Sequence, residues 1–272
     1  MEHRISVDIS DGVADVRLDR PDKLNALDTA MFEALVSTGR ELADETSVRA
    51  VVLSGNGRSF CAGLDFAGFA AMAERRPTSD DGVLNPIVAV PEGRLTHLGQ
   101  QAVWTWQELP VPVIVAVTGH ALGGGCQLAL GGDIRFVHRE ARMSILEIRW
   151  GIVPDMCASV LLPRLVGNDV AKELYFTGRM VDGEEAARLG LATHVSDDPL
   201  ADAMAMAREI ATKSPDAIRR DKLLLNRWDM DDVAAAFAAE RAHVGALAGS
   251  PNQIEAATAF LEKRPPVFES GT

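Results

Sequence analysis

The stretch VIVAVTGHALGGGCQLALGGDIRF, residues 113–136, combines two apolar runs with three consecutive glycines between them. The first run, VIVAV, is typical of a buried parallel strand, and the second is interrupted only by the uncharged amide of Gln127. Glycines between a strand and a helix permit close packing, cradle a phosphate, or present bare N–H groups to a developing negative charge. The stretch therefore predicts a strand, a tight turn and a helix.

The phosphate interpretation of these glycines fits poorly, because neither the Walker pattern nor the dinucleotide G-x-G-x-x-G spacing is present. Close packing stays open on this segment alone. The third interpretation gains support from SFCAGLDF, residues 59–66, which also places a turn of small residues after a predicted buried strand. Two backbone N–H groups from two such turns can converge on one oxygen and stabilise a transition state.

Hydrophobic periodicity predicts an α/β order for most of the chain. RISVDISDGVADVRLDRP alternates apolar and polar residues around Asp11 and Gly12, which predicts a hairpin. Asp28 is the expected N-cap of a helix that runs to about residue 45. The other predicted elements are strands at residues 48–55, 111–119 and near 191–197, two short strands in 133–148, and a helix near 95–108.

The sequence after Pro154 has mostly helical patterns, and residues 199–264 contain long Ala- and Leu-rich ones. We therefore expect an α/β core at residues 1–195 and a C-terminal helical region at residues 196–272. Residues 74–94 are polar and rich in Pro and Gly, and they predict a mobile loop, with a lid over a site as one interpretation.

Composition excludes several classes of function. A formal net charge of −12 argues against binding to nucleic acid or an anionic membrane surface. No apolar stretch is long enough to predict a membrane span, and the N-terminus lacks the apolar segment of a signal peptide. Three widely spaced cysteines, Cys61, Cys126 and Cys157, fit reduced cytosolic thiols and show no metal-ligand spacing. A cytoplasmic enzyme or binding protein is expected.

Six stretches in order along the chain resemble the signatures of one family. They are RPDKLNAL (20–27), SGNGRSFCAGLDF (54–66), GHALGGGCQLALGGDIRF (119–136), LEIRWGIVPD (146–155), TGRMVDGEEAARLGLATHV (177–195) and AFLEKRPPVF (259–268). Together they resemble the crotonase (enoyl-CoA hydratase/isomerase) superfamily. The resemblance implies a crotonase fold of repeated ββα units, with a C-terminal helical region that forms homotrimers, often paired into hexamers. It also implies acyl-CoA thioester substrates and no metal or redox cofactor.

The resemblance also assigns roles to residues. The N–H groups of Leu64 and Gly124 would form an oxyanion hole for the thioester oxygen as it becomes an enolate. A side chain at Gly124 would then obstruct the thioester. The residues that would shape the turns or contact the CoA moiety are Ala62, Gly63, Asp65 and Gly123 at the two turns, Lys23, Leu24 and Ala26 along the adenosine-pantetheine path, and Phe260 and Lys263 from the tail, in the family often from a neighbouring subunit. Lys23 and Lys263 read equally well as solvated surface charges.

The reaction depends on the acids and bases that face the acyl chain. A hydratase of this family uses two glutamates, and their places fall at Gln127 and Glu147 here. An amide can orient a water molecule but cannot accept its proton, so the two-carboxylate hydration mechanism is impaired. Asp155, eight residues after Glu147, is a compensating candidate. The dienoyl-CoA isomerase branch has an acidic pair at these two places but a further Asp where Gln127 stands.

Other interpretations of these residues stay open. Asp155 also fits the N-cap of the helix that follows, and Glu147 also fits a surface carboxylate or salt-bridge partner. The family's dehalogenases use an Asp at the place of Asp155 as a nucleophile, although the surrounding sequence matches them less well. His120 is expected to be structural, and Cys61 and Cys126 to be packing residues. Double-bond isomerisation by Glu147 and Asp155 is favoured, hydration with Gln127 orienting water is the alternative, and a non-catalytic acyl-CoA binder is the alternative of another class.

Overall fold

The computed structural model describes residues 4–65 and 90–269 of the chain. The predicted hairpin is confirmed: β1 (Ile5–Ser10) pairs antiparallel with β2 (Val13–Leu18). The turn residues Asp11 and Gly12 have φ of +51° and +79°, the left-handed conformation that a two-residue hairpin turn requires. Of the predicted loop at residues 74–94, the part up to residue 89 lies outside the described residues.

The main sheet has six strands in the order β1-β2-β3-β4-β6-β8, and it is parallel from β2 onward. Its other strands are β3 (Ala50–Gly55), β4 (Val113–Val117), β6 (Ile134–His138) and β8 (His194–Ser196). A second sheet pairs β5 (His120–Leu122) with β7 (Arg142–Ser144) in parallel. The predicted strands are confirmed, whereas β5 was not foreseen because three residues are too few to show a period.

Ten α-helices occur within the described ranges. They are α1 (Thr29–Asp44), α2 (Leu98–Glu108), α3 (Gly124–Leu130), α4 (Ala158–Val166), α5 (Asn168–Thr177), α6 (Gly183–Leu189), α7 (Pro199–Ala211), α8 (Pro215–Leu225), α9 (Met230–Leu247) and α10 (Pro251–Leu261). As predicted, Asp28 caps α1, because its carboxylate accepts the N–H of Met31 at 2.8 Å. Two 3₁₀ segments, Pro21–Lys23 and Glu147–Trp150, lie near the candidate site.

Two layers of helices enclose the main sheet. On one face, α1 and α2 pack against it in a large core whose biggest fully buried side chains include Phe32, Phe60 and Trp106. On the other face, α7 lies across the strands and presents small residues, Ala203 and Ala207 among them, to the sheet. Over the described residues, no helix has both the length and the apolar character that crossing a bilayer needs.

The helices after α7 are tied to this core by polar contacts as well as apolar ones. On α8, the buried Lys222 donates to the backbone oxygens of Trp106 and Val111, both at 3.0 Å, and pairs with Asp133 at 2.8 Å. Burial lowers the pKa of this ammonium group, and Asp133 counteracts that effect. A buried charge held by three oxygens fixes α8 beside the segments that precede β4 and β6, and the leucines that follow Lys222 are exposed.

Candidate active site

The first of the two predicted turns is anchored to the segment before α1. The N–H of Leu27 donates to Gly63 at 2.8 Å, and the N–H of Asp65 donates to Leu27 at 2.9 Å. In such a parallel bridge the residue between the two bonded partners turns its own N–H away from Leu27. The Leu64 N–H therefore points away from this bridge, and no acceptor for it is found within the described residues.

The segment at residues 20–28 folds back on itself because Leu24 and Asn25 both have positive φ, +51° and +56°. The fully buried Asn25 holds it there: its amide donates to the carbonyls of Asn56 and Ser59 at 3.0 and 2.9 Å. The N–H of Arg20 donates to the Asn25 side-chain oxygen at 2.8 Å. Such a side chain tolerates the left-handed region, and it joins three stretches of backbone in one place.

The predicted CoA-contacting residues of this segment lie together. Lys23 is exposed, Leu24 is half-buried, and Ala26 is buried. The N–H of Ala62 donates to Leu24 at 2.9 Å, which joins the segment to the first turn. The fifth predicted residue here, Asp65, pairs with the guanidinium of Arg20 at 2.5 Å and so fixes the end of that turn.

The second turn begins at Gly123, which has φ +52° and precedes the first residue of α3. Its N–H donates to Ser144 at 2.9 Å. A Cβ on Gly63 would lie 2.5 Å from the carbonyl oxygen of Leu122 and 3.7 Å from the nitrogen of Gly124, so the two turns are in contact. The N–H of Gly124, like that of Leu64, has no acceptor within the described residues. The structure thus brings the two predicted donors to adjoining turns.

The glycines of the second turn are also needed for packing. A Cβ on Gly124 would lie 2.9 Å from the sulfur of Met156 and 3.0 Å from Leu27, so side chains of this chain already fill the space beside it. A Cβ on Gly125 would lie 2.4 Å from the carbonyl oxygen of Cys61, which is backbone and cannot move aside. The packing of the protein itself therefore requires glycine at this turn, whether or not a ligand binds there.

Glu147 is buried beside the second turn, at the start of the 3₁₀ segment Glu147–Trp150. Its Oε1 lies 3.2 Å from the place of a Cβ on Gly123 and accepts the amide N–H of Gln127 at 2.7 Å. Its Oε2 is buried and has no hydrogen-bond partner among the described residues. Burial raises the pKa of Glu147 to about 7, although the bond from Gln127 lowers it. The interpretation of Glu147 as a surface carboxylate is therefore wrong.

Gln127 connects the two acidic candidates. It is fully buried, its Nε2 donates to Glu147, and its Oε1 accepts the N–H of Met156 at 2.9 Å. Met156 directly follows Asp155 in the chain. Both polar atoms of the amide are thus engaged inside the protein, and Gln127 orients the Glu147 carboxyl relative to the Asp155 segment.

Asp155 does not cap a helix. The helix α4 begins at Ala158, and its N-cap position is Cys157, with φ +72° and no capping side chain, so the N-cap interpretation of Asp155 is wrong. Burial raises the pKa of Asp155 to about 7, and the carboxylates of Glu240 and Glu147 raise it further. The Oδ2 atom of Asp155 lies 4.0 Å from Nε2 of the buried His97.

Three neighbours of the site were not foreseen from sequence: His97, Met156 and Glu240. His97 is the N-cap of α2, where its Nδ1 accepts the N–H of Gln100 at 3.2 Å. The pattern H-x-x-Q before an apolar run is a weak sequence indication of a helix N-cap at His97. Nothing local connects Met156 to Gly124 or Glu240 to Asp155, because those contacts join distant parts of the chain.

Two predicted residues lie on α10 or just after it. The Phe260 ring packs at a tilt against Trp150, with 4.3 Å between the ring centroids, and thereby contacts the segment that begins with Glu147. Lys263 is exposed and follows the helix with φ +55°. The structure places Phe260 beside the Glu147–Trp150 segment of its own chain and Lys263 on the surface, and no contact of either residue with the two turns is found within the described residues.

The remaining reactive side chains have structural surroundings. The three cysteines are free and buried, and burial raises the pKa of the Cys61 and Cys126 thiols to about 12. His120 lies 3.0 Å from the hydroxyl of Ser59, with Nδ1 as the contacting atom. These contacts agree with the packing and structural roles that were expected.

Comparison with known proteins gives one consistent result. A family model described as enoyl-CoA hydratase/isomerase matches residues 8–271. A short-chain-enoyl-CoA hydratase of Clostridium acetobutylicum is 36% identical over 93% of this chain and 92% of its own length. Mouse mitochondrial methylglutaconyl-CoA hydratase is 31% identical over 95% of this chain and 80% of its own.

Solved structures agree. An enoyl-CoA hydratase/isomerase from Pseudoalteromonas atlantica superposes with a TM-score of 0.83 at 28% identity, covering 98% of this chain and all of the other. Pseudomonas aeruginosa OdaA superposes with a TM-score of 0.81 at 30% identity, covering 96% and 99% of the two chains.

The contact between the two turns predicts the effect of a single methyl group. We expect Gly63→Ala to be strongly destabilising, because its Cβ meets the Leu122 carbonyl and its φ is +87°. Gly93→Ala is the matched control, since Gly93 also has a positive φ, +75°, but nothing lies within 4 Å of the added Cβ. Urea denaturation measures both variants. Equal losses of unfolding free energy in the two would contradict the close contact.

The raised pKa of Glu147 predicts a pH-dependent stability. The folded protein holds this proton more tightly than the unfolded chain, so the carboxyl costs stability as pH rises from about 4.5 to about 7. We expect Glu147→Gln to remove that cost, with a gain over wild type on the order of 1 kcal/mol at pH 8 and little gain at pH 4.5. Denaturant unfolding across this range measures it. The exposed Glu33→Gln should follow the wild type, and a Glu147→Gln curve parallel to wild type would refute the shift.

Proposed function

Because the chain belongs to the enoyl-CoA hydratase/isomerase family and has its crotonase fold, we propose that it moves protons on an enoyl-CoA thioester through an enolate. The N–H groups of Leu64 and Gly124 bind the thioester oxygen as negative charge develops on it. Two N–H groups on touching turns, both without an acceptor among residues 4–65 and 90–269, support this role. Donors fixed by the fold need no reorganisation during the reaction, which is why such holes are effective.

Double-bond isomerisation is the reaction that the residues favour. The observation that carries it is the pair of carboxyl groups, the buried Glu147 and the partly buried Asp155, each with a pKa raised to about 7. Near neutral pH one member can be ionised and take a proton while the other is protonated and gives one back. Gln127 links the pair but cannot itself accept a proton.

Hydration of a 2-enoyl-CoA is the second candidate, and the hydratase names of the relatives favour it. In this version Glu147 protonates the α-carbon, and Gln127 helps to orient the attacking water. Both polar atoms of the Gln127 amide are already hydrogen-bonded inside the protein, which weighs against a role for Gln127 in orienting water. In either version CoA is part of the substrate, and the proposed chemistry requires no metal or redox cofactor.

We propose that the CoA moiety follows the exposed side of the turn at residues 20–28, past Lys23, Leu24 and Ala26. The hydrogen bonds that join this turn to Ala62 and Gly63 support the path. They place the proposed CoA-binding residues next to the turn that carries the proposed oxyanion-hole donor. Phe260 and Lys263 would approach the CoA from a neighbouring subunit, since in their own chain Phe260 packs on Trp150 and Lys263 is exposed.

One experiment separates the three readings. The protein is offered crotonyl-CoA and a 3,5-dienoyl-CoA, together with Glu147→Gln and Asp155→Asn. We expect isomerisation of the dienoyl substrate, lost by at least a hundredfold in both variants because each removes one member of the acid–base pair. Absorbance changes of the conjugated thioesters measure both reactions. Brisk hydration that Asp155→Asn leaves intact would overturn the isomerase proposal. Binding without turnover on a broad acyl-CoA panel would identify a non-catalytic binder.

We also propose a homotrimer, or a hexamer of two trimers, in a reducing compartment such as the cytoplasm. Three consecutive leucines at the end of α8, residues 223–225, are 64–83% exposed, and an apolar patch of this kind supports burial in an assembly. The free, buried cysteines support the compartment.

The assembly is tested by light scattering after size exclusion. We expect a mass of three or six chains for the wild type and a smaller mass for Leu225→Glu, because a charge there cannot be buried without a partner. Ser37→Glu, on the exposed side of α1, is the control and should keep the wild-type mass. A monomeric wild type would contradict the proposal.

A further inference from the structure

Glu240 of α9 is a buried carboxylate whose side chain faces the segment after Asp155. It is 4% exposed, and it accepts four hydrogen bonds. Its Oε1 accepts the N–H and the hydroxyl of Ser159 at 3.1 and 2.5 Å, and its Oε2 accepts the N–H of Cys157 at 3.1 Å and the amide of Gln100 at 2.9 Å. Within the described residues, no Lys or Arg forms a salt bridge with Glu240.

These bonds satisfy a helix end that would otherwise lack acceptors. The first N–H groups of an α-helix have no partner inside the helix, and the residue at the N-cap of α4, Cys157, offers no capping side chain. Cys157 is also held at φ +72°, a conformation that a non-glycine residue keeps only under constraint. Glu240 supplies the missing acceptors from more than 80 residues further along the chain.

The two peptides after Asp155 are therefore each held by a side chain from another helix. The N–H of Met156 donates to Gln127 of α3, and the next N–H, that of Cys157, donates to Glu240 of α9. We propose that Glu240 is a positioning residue that fixes the Met156–Cys157 peptide, next to the peptide that Gln127 holds, and thereby sets where the Asp155 carboxyl lies relative to Glu147. This inference rests on the proposed function of that pair.

The negative charge of Glu240 has a second effect, which acts on the protonation of Asp155. The groups that face Asp155 are the carboxylates of Glu240 and Glu147, and His97 at 4.0 Å. Burial raises the pKa of Glu240, while the bonds from Ser159 and Gln100 favour its ionised form. An ionised Glu240 disfavours a second negative charge at Asp155, so it keeps Asp155 protonated and able to act as the acid.

Gln100 is itself held in the orientation that this arrangement needs. Arg241 donates to the side-chain oxygen of Gln100 at 2.9 Å, so the amide nitrogen of Gln100 is the atom turned to Glu240. The neighbour of Glu240 on α9 thus fixes one of the donors that surround the carboxylate. Replacement of Glu240 by Gln would place an NH₂ group opposite donors and lose about half of these contacts.

The titration of Asp155 tests the proposal without any substrate. Carbon-13 NMR of the Asp side-chain carboxyls follows it between pH 4 and 9 in the full chain, with the Asp155 signal assigned through Asp155→Asn. We expect Glu240→Gln to lower the apparent pKa of Asp155 by about one unit. Asp198→Asn is the matched control, since Asp198 also accepts a helix N–H, that of Ala201, but at α7. An unchanged Asp155 titration in folded Glu240→Gln would overturn the proposal.

Activity gives a second readout. With the enoyl-CoA substrate that the wild type turns over, Glu240→Gln should lower kcat at least tenfold and change KM less than about twofold, because Glu240 lies away from the proposed CoA path. If Glu240→Gln fails to fold, Ser159→Ala replaces it and should shift Asp155 in the same direction by less; no shift there overturns the proposal. A wild type without turnover would refute the proposed function, while the titration would still decide the role of Glu240.

Discussion

The contact between Gly125 and the Cys61 carbonyl is the constraint on which the site depends. Any Cβ at residue 125 would lie 2.4 Å from that oxygen, so only glycine lets α3 begin this close to the first turn. The pairing of Cys61 with β5 then fixes the register, through the bonds from Cys61 to His120 and from Leu122 to Cys61. Because the two backbones touch here, the N–H groups of Leu64 and Gly124 belong to adjoining turns.

A second consequence of this packing is electrostatic. Glu147 and Asp155 are ordinary carboxyl groups in the sequence, and removal from water raises the pKa of each to about 7. Gln127 matters in this setting because an amide is neutral. A carboxylate at its place would add a third negative charge beside Glu147, whereas the amide donates to Glu147 and accepts from Met156 at no cost in charge.

The fold was largely predictable from sequence because its signals are local. The Asp11-Gly12 turn, the Asp28 cap and the glycines after β4 each act within a few residues of where they stand. The resemblance to the family supplied Leu64, Gly124 and Glu147. The connections among these residues were not predictable, since Gln127 reaches partners 20 and 29 residues away. Residue type alone does not indicate such pairings.

The C-terminal helices are tied to the rest of the protein, because each of them sends a group into the core. Small residues of α7 pack on the sheet, and Lys222 of α8 holds the loop before β4 through Val111. Gln253 of α10 donates to the Trp150 carbonyl, and Glu240 of α9 reaches the N-terminus of α4. The contacts of α9 and α10 reach the segments that carry Glu147 and Asp155. A change in how α9 and α10 pack would therefore reach these two carboxyl groups through side-chain hydrogen bonds to the backbone.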